Sequence, residues 1–190
     1  MNFTSRFSEA LSLAATLHAD QQRKVSDVPY LAHLLAVAAL VMEHGGDEDE
    51  CIAALLHDAV EDQGGMAVRE EICRRFGETV VSIIDGCTDA TETPKPAWRQ
   101  RKEAHIARLR QAPAPVRLVT AADKLHNVRC IVCEYRRGGE SLWRHFRGGR
   151  DGTLWYYRAV TDTLKHTGIT PLVAELDRTV TEMERWTLPF

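Results

Sequence analysis

The 190-residue sequence lacks a long hydrophobic run, a signal segment and an excess of one charge. Its longest apolar stretches, such as residues 34–42, are far shorter than the roughly 20 residues that cross a bilayer. Residues 1–7 have no apolar segment of the kind that a signal peptide needs. A net charge of −3 gives no electrostatic reason to expect a nucleic-acid or membrane-surface partner. These absences predict a cytoplasmic protein that binds neither nucleic acid nor membrane.

The five cysteines form neither a disulfide framework nor a double-pair zinc motif. Cys51, Cys73 and Cys87 lie in or beside predicted helices, and the odd number of thiols fits a reducing compartment. Cys130 and Cys133 have CxxC spacing, but they lie inside a helical pattern without a second pair. Ordinary burial therefore explains them better than zinc binding or redox chemistry.

The sequence also lacks the strict alternation of strands, an internal repeat and any change in composition that would mark a second domain. Apolar residues instead recur at helical spacing along almost the whole chain. We therefore predict a single domain over residues 1–190 with an all-α fold, about eight to ten helices and no significant sheet. A loop is predicted over residues 88–96, and the helices are predicted over residues 5–23, 30–43, 47–63, 68–76, 78–84, 98–111, 116–135, 153–167 and 171–186.

The most informative stretch is residues 51–65, CIAALLHDAVEDQGG. An apolar helix presents His57, Asp58, Glu61 and Asp62 within about 140° of arc, since successive residues are about 100° apart. The other positions predict burial nearly all round, where carboxylates are costly without a positive partner. A bound metal ion meets that need. The alternative is an exposed acidic helix end, which the helix dipole disfavours at a C-terminus.

Two further apolar helices each carry a polar residue where core is expected, namely His33 and Asp123. His33 alone is explained by a core histidine with satisfied hydrogen bonds. Together with His57 and Asp58, these residues give two imidazoles and two carboxylates. Such a mixed nitrogen and oxygen set suits Mn²⁺ or Fe²⁺, with zinc as an alternative.

Short motifs surround these residues in a fixed order: QQRK (21–24), PYLAH (29–33), ALLHDAVED (54–62), FG (76–77), TD (88–89) and ADKLHNVR (122–129). The ordered set resembles the HD superfamily of metal-dependent phosphohydrolases, and within it the hydrolase domain of RelA/SpoT-type alarmone enzymes. The resemblance covers about residues 7–165. Because no synthetase domain accompanies it, the chain is similar to the small stand-alone hydrolases of the metazoan SpoT-homologue type.

The resemblance implies an HD-domain helical bundle with one Mn²⁺ ion, or another divalent transition metal, held by His33, His57, Asp58 and Asp123. Glu61 and Asp62 match the pair with which family members activate water. A carboxylate beside the metal is chemically suited to that role, because it can take the proton of the attacking water.

The resemblance also assigns substrate contacts, and most of them have a structural alternative. A solvated helix end is the alternative for Arg23 and Lys24, pairing with an acid near the metal for Arg129, and core packing for Tyr156. The assigned contacts are Arg23, Lys24, Lys95, Asn127, Arg129 and Tyr156.

The implied reaction removes the 3′-pyrophosphate of guanosine alarmones, converting ppGpp or pppGpp to GDP or GTP. Departures from the family pattern at residues 25–28 and at Cys130 border the expected base and ribose pocket. The adenosine alarmone ppApp and the 2′-phosphate of NADPH therefore stay open as substrates. A non-catalytic nucleotide sensor is a further alternative, against which the retained Glu61–Asp62 pair argues. The sequence leaves open the oligomeric state, the role in the cell and the role of residues 140–152. A homo-oligomer would form through the amphipathic terminal helix that ends in residues 186–190.

Overall fold

The computed structural model describes residues 2–89 and 94–187. Within these ranges the chain forms ten α-helices, one 3₁₀-helix and no β-strand, and a single isolated bridge pairs Gln22 with Pro29. The prediction of an all-α bundle without significant sheet is confirmed. None of the described helices is long and apolar enough to cross a membrane. The α-helices are α1 Ser5–Leu17, α2 Leu31–Glu43, α3 Glu48–Leu56, α4 Ala59–Gln63, α5 Gly65–Phe76, α6 Glu78–Cys87, α7 Trp98–Leu109, α8 Ala114–Gly138, α9 Gly149–Thr167 and α10 Pro171–Thr187.

Helix α3 lies at the centre of the bundle. Asp47 and Glu50 form a capping box that starts the helix, as its sequence predicts. Every residue from Cys51 to Leu56 is buried, and α3 packs against α1, α2, α6 and α8. One continuous buried core joins the described helices. A single domain over residues 1–190 stays a prediction.

Helix α1 ends at Leu17, so the prediction that it continues to Arg23 is wrong. The amide of His18 closes the helix on carbonyls of the last turn. The chain then turns back on itself, because Tyr30 N donates to Gln21 O at 2.8 Å and Arg23 N donates to Val28 O at 3.0 Å. Residues 21–24 therefore lie in a loop that faces the start of α2.

The predicted continuous helix over residues 47–63 is broken at His57 and Asp58 into α3 and α4. Successive side chains on an unbroken helix point about 100° apart. The break lets both side chains face the same site. It also places Glu61 and Asp62 in the first turn of α4, so the predicted dipole penalty at a helix C-terminus does not apply.

Residues 140–152, which match no family motif, have a structural role. They form the 3₁₀-helix Gly139–His145 and the first turn of α9, and they bury Leu142 and Trp143. At Gly148 an added Cβ would lie 2.6 Å from the ring of Trp98, so glycine allows α7 and α9 to approach closely. Two helices begin earlier than predicted. Helix α5 begins at residue 65, three residues before its predicted start, and α9 begins at residue 149, four residues before its predicted start. Residues 90–93 of the predicted loop and residues 188–190 lie outside the described residues.

An ion-pair network joins α9 to α10. Arg158 donates to Asp177 at 2.6 Å and to Glu184 at 2.5 Å, and Lys165 donates to Asp177 at 2.7 Å. Hydrogen bonds from Lys165 and Arg158 hold the pKa of Asp177 below its usual value.

We expect Asp177→Asn to lower the free energy of unfolding near pH 7 by about 0.5–1 kcal/mol, the scale of a partly exposed ion-pair network. The carboxylate of Asp177 stabilises the fold above its unfolded pKa of about 3.9, and this contribution is lost as the pH falls through its lower folded pKa. The difference in the free energy of unfolding between wild type and Asp177→Asn should therefore become smaller from pH 7 toward pH 3. Denaturant unfolding at several pH values measures it.

Asp162→Asn is the matched control, because the Asp162 carboxylate lies 3.9 Å from Arg158 and is half exposed. Its effect should be smaller at every pH. Equal losses in the two variants, or a difference that does not change with pH, would contradict the assigned network.

Candidate metal centre

The structure brings the four predicted ligands together where α2, the α3–α4 break and α8 meet. His33 Nε2 lies 3.3 Å from Asp123 Oδ1 and 3.7 Å from Asp58 Oδ2. His57 Nε2 lies 3.1 Å from Asp58 Oδ2 and 3.7 Å from Asp123 Oδ1. Each of the two ring nitrogens thus lies within 3.7 Å of both carboxylate oxygens.

Each histidine is oriented through its other ring nitrogen. His57 Nδ1 lies 2.8 Å from the carbonyl of Ala54, to which it can only donate. His33 Nδ1 lies 2.8 Å from His126 Nδ1. The Nε2 atoms of both ligands are buried and have no hydrogen-bond partner among the described residues. A bare, oriented imidazole nitrogen is what a metal ion requires, and a second residue that fixes its tautomer is typical of metal sites.

The carboxylates are also held from behind. Tyr30 Oη donates to Asp58 Oδ2 at 2.6 Å, and Lys124 Nζ donates to Asp123 Oδ2 at 2.6 Å. Burial alone would raise the pKa of both carboxyls, but His57 outweighs it at Asp58, and Lys124 with the site histidines outweighs it at Asp123, so that both pKa values lie below the usual range. Both side chains are therefore ionised at neutral pH.

The site favours positive charge at its centre. Burial lowers the pKa of His57, yet Asp58 and Asp123 more than compensate and raise it well above its usual value. A divalent cation among these donors supplies the same positive charge. The orphaned nitrogens, the two ionised carboxylates and the mixed N/O chemistry therefore fit a divalent transition metal. His33, His57 and Asp58 offer donor atoms within 4.8 Å of one another.

Glu61 and Asp62 lie beside this centre, and each is held by a residue of another segment. Lys95 Nζ donates to Glu61 Oε1 at 2.9 Å, and the amide of Asp89 donates to Glu61 Oε2 at 3.3 Å. Gln21 Nε2 donates to Asp62 Oδ2 at 2.9 Å. Lys95, predicted to bind phosphate, is thus placed against a predicted catalytic acid.

Arg23 and Asn127 are linked directly to the metal cluster. Arg23 Nη2 donates to Asn127 Oδ1 at 2.7 Å, and the amide nitrogen of Asn127 donates to Asp123. The Arg23 guanidinium also lies 5.4 Å from the ring centroid of Tyr30. Lys24 is exposed, and no hydrogen bond or ion pair joins it to another described residue.

The two remaining predicted substrate contacts differ in their distance from the cluster. Arg129 faces α10, whereas the ring centroid of Tyr156 lies 5.7 Å from Nζ of Lys124, which binds Asp123. Arg129 forms an ion pair with Glu175 of α10, an acid that is not among the cluster residues, and it lies on another face of α8 than Asp123 and Asn127. Tyr156 is buried, with the ammonium of Lys102 4.6 Å from its ring centroid and Trp98 at its edge. The pairing of Arg129 with Glu175 is neither the predicted substrate contact nor the predicted pairing with an acid near the metal. The buried position of Tyr156 fits core packing, and the roles of both residues stay predictions.

Several residues around the site were not predicted from the sequence. Tyr30 and His126 lie inside recognised motifs, and the spacing of His126 three residues after Asp123 places both on one face of α8. Lys124 is adjacent to a ligand. Tyr157 had no such signal; burial and then the nearby charge of Asp123 raise the pKa of its phenol, which places this ring beside the cluster.

Comparison with known families decides the identity of the fold. A family model described as HD domain matches residues 10–154, well over half of the chain. The chain belongs to the HD domain family. The HD pair of this chain is His57–Asp58, which lies at the break between α3 and α4.

Relatives of this HD domain include enzymes named for alarmone hydrolysis. A guanosine-3′,5′-bis(diphosphate) 3′-pyrophosphohydrolase MESH1 of Drosophila melanogaster is 30% identical over 86% of this chain and 87% of its own length. The MESH1 of Xenopus tropicalis is 38% identical over 64% of this chain and 66% of its own length. A probable enzyme of the same activity from Synechocystis is 38% identical over 64% of this chain. The alignment spans only 16% of that longer protein.

Two solved structures share the architecture. A metazoan orthologue of SpoT that hydrolyses ppGpp superimposes with a TM-score of 0.80 at 27% identity, covering 96% of this chain and 97% of that one. A Listeria monocytogenes protein superimposes with a TM-score of 0.70 at 28% identity, covering 80% of this chain and 99% of that one. The HD domain is therefore shared over nearly its full length.

We expect Mn²⁺ to raise the melting temperature of the protein and EDTA to lower it, because a ligand of the folded state stabilises it. The gain is about 2.7 kcal/mol when the free ion is at 100 times its Kd. His57→Gln should lose most of this response, since it removes a nitrogen donor. Thermal unfolding against Mn²⁺ concentration measures both.

The matched control is His145→Gln, which changes an exposed histidine of the 3₁₀-helix. This variant should respond to Mn²⁺ as wild type does. If His57→Gln is stabilised as much as the control, the ion binds elsewhere.

Proposed function

We propose that the chain is a cytoplasmic, Mn²⁺-dependent phosphohydrolase that removes the 3′-pyrophosphate of guanosine alarmones. The observation that carries this proposal is the convergence of His33, His57, Asp58 and Asp123 beside the Glu61–Asp62 pair. The names of the MESH1 relatives point to the same chemistry.

In this proposal the two histidines and two aspartates hold one Mn²⁺ ion. A bound divalent ion polarises a phosphoryl oxygen and lowers the pKa of water. The protein itself keeps the ligands rigid: Ala54 and His126 orient the imidazoles, and Tyr30 and Lys124 hold the outer carboxylate oxygens. Rigid ligands reduce the reorganisation that the reaction needs.

The proposed reaction is an attack of water on the phosphorus that is attached to the ribose 3′-oxygen. A bond forms between the water oxygen and this phosphorus, and the bond from phosphorus to the 3′-oxygen breaks. A carboxylate of Glu61 or Asp62 takes a proton from the water, and the departing 3′-oxygen gains one. The products from ppGpp are GDP and pyrophosphate.

Basic side chains at the edge of the site offset the charge of the phosphates. Arg23 is fixed by Asn127, which also contacts the ligand Asp123, so substrate and metal positions are coupled. Lys95 is available from the other side, where it pairs with Glu61. Lys24 is exposed and adds positive charge near Arg23.

The residues predicted to select the nucleobase of the substrate are those at which this sequence departs from the family pattern. The Arg23 amide is bonded to the carbonyl of Val28, so the unusual residues 25–28 lie on the loop that carries Arg23. Cys130 Sγ lies 3.8 Å from His126 Nδ1, one turn beyond the cluster on α8. Because these departures border the predicted base and ribose pocket, ppApp and NADPH are the alternative substrates of the same site. A non-catalytic nucleotide sensor is the alternative in which none is cleaved.

Incubation of purified protein and Mn²⁺ with ppGpp, ppApp and NADPH in parallel tests the proposal by product analysis. We expect pyrophosphate and GDP from ppGpp. Glu61→Gln and Asp62→Asn should each lower kcat by about 10²–10⁴-fold, the usual contribution of a general acid or base. Both variants should keep the thermal response to Mn²⁺.

Selective cleavage of ppApp or NADPH would assign the altered pocket to another base or phosphate. Turnover that survives both substitutions would overturn the proposed mechanism. An intact set of all three nucleotides, with nucleotide binding retained, would identify a sensor.

A further inference from the structure

We infer that Gln21 is a positioning residue that aims the Asp62 carboxylate at the attacking water and makes Asp62, rather than Glu61, its proton acceptor. The inference rests on the proposed hydrolase function. It is carried by a cluster of side chains on the side of Asp62, formed by His18, Gln21 and Gln63.

Gln21 is the centre of this cluster. Its side-chain oxygen lies 2.5 Å from His18 Nδ1 and accepts from Gln63 Nε2 at 2.5 Å. Its side-chain nitrogen donates to Asp62 Oδ2 at 2.9 Å. The residue thus connects α1, the loop before α2 and α4.

The orientation of the amide follows from its neighbours. The Asp62 carboxylate only accepts hydrogen bonds, and a flipped Gln21 would set its own amide oxygen against it. The Gln21 oxygen must therefore face His18 and Gln63, which leaves the NH₂ group facing Asp62. His18 then carries its proton on Nδ1, in agreement with a buried Nε2 that has no partner among the described residues.

His18 is itself fixed, so Gln21 is not free to rotate away. The imidazole is 1% exposed and stacks on Tyr30, with ring centroids 5.3 Å apart and planes 16° apart. The backbone of Gln21 is held as well, since its carbonyl accepts from Tyr30 N at 2.8 Å. Tyr30 in turn binds the metal ligand Asp58. These contacts therefore fix the position of the Asp62 carboxylate relative to the metal cluster.

The two acids differ in what remains free. Both oxygens of Glu61 accept hydrogen bonds, one from Lys95 and one from the amide of Asp89. Asp62 uses Oδ2 for Gln21, and Oδ1 receives no hydrogen bond from the described part of the chain. Oδ1 of Asp62 is therefore the one carboxylate oxygen of the two acids to which no described residue donates, which leaves it open to the water, while Glu61 positions Lys95.

The test is a double-mutant cycle with Gln21→Met and Asp62→Asn. Methionine keeps the length of the side chain and removes the donor. We expect Gln21→Met to lower kcat about 10- to 100-fold, with KM changed less than twofold. This is the scale of the loss when a residue that orients a group of a metal site through a hydrogen bond is replaced. In the Asp62→Asn background the same substitution should have no further effect on kcat, because its target carboxylate is gone.

Gln22→Met is the matched control, since Gln22 is the exposed neighbour and, among the described residues, takes part only in the backbone bridge to Pro29. Its kcat should stay within twofold of wild type. Gln21→Met should also keep the melting temperature gain with Mn²⁺, and its crystal structure should show the Asp62 carboxylate rotated from its wild-type position.

A loss of kcat that is equally large in the Asp62→Asn background would overturn the inference. So would a rise in KM at constant kcat, which would make Gln21 a substrate contact. If wild type cleaves no nucleotide, the proposed function fails by itself. The crystal structure of Gln21→Met then still decides whether Gln21 positions Asp62. An Asp62 carboxylate that keeps its wild-type position in this variant would overturn the positioning role of Gln21.

Discussion

The structure depends on a concentration of negative charge at the centre of a helical core. Asp58 and Asp123 are both ionised, and they face two imidazole nitrogens that have no hydrogen-bond partner in the part of the chain that the structure describes. Such an arrangement is costly in a buried position unless positive charge is placed among the groups. The break between α3 and α4 and the course of α8 both serve this cluster, because each brings an acid from a different segment to the same position.

A second layer of residues surrounds the cluster and connects it by hydrogen bonds to residues at the edge of the site. Tyr30, His126 and Lys124 hold the ligands, and Asn127 connects Asp123 to Arg23. Because these contacts are hydrogen bonds with defined donors, they fix orientation as well as distance. The polar network is therefore continuous from the buried cluster to Arg23 at its edge.

The fold class and the convergence of the four cluster residues follow from the sequence, because helical periodicity and ordered motifs are strong signals. The break at His57–Asp58 was missed, since the residues on both sides of it continue a helical apolar pattern. The end of α1 was missed for a similar reason: residues 18–23 have acceptable helix propensity, and the contacts of residues 21–30 that prevent the helix are non-local. The substrate contacts of Arg129 and Tyr156 stay predictions, because a side chain's direction depends on its own helix packing, which the motif does not contain: Arg129 pairs with Glu175, and Tyr156 is buried.

The order in which the cluster residues occur along the chain bears on how the protein is made. His33, His57 and Asp58 belong to the first third of the sequence, whereas Asp123 is on α8. During synthesis the early donors leave the ribosome well before the last one, as translation adds about 5–20 residues each second. An incomplete chain thus presents His33, His57 and Asp58 without Asp123, and the four residues meet only after α8 has been synthesised. Completion of the polar cluster is therefore a late event of biosynthesis.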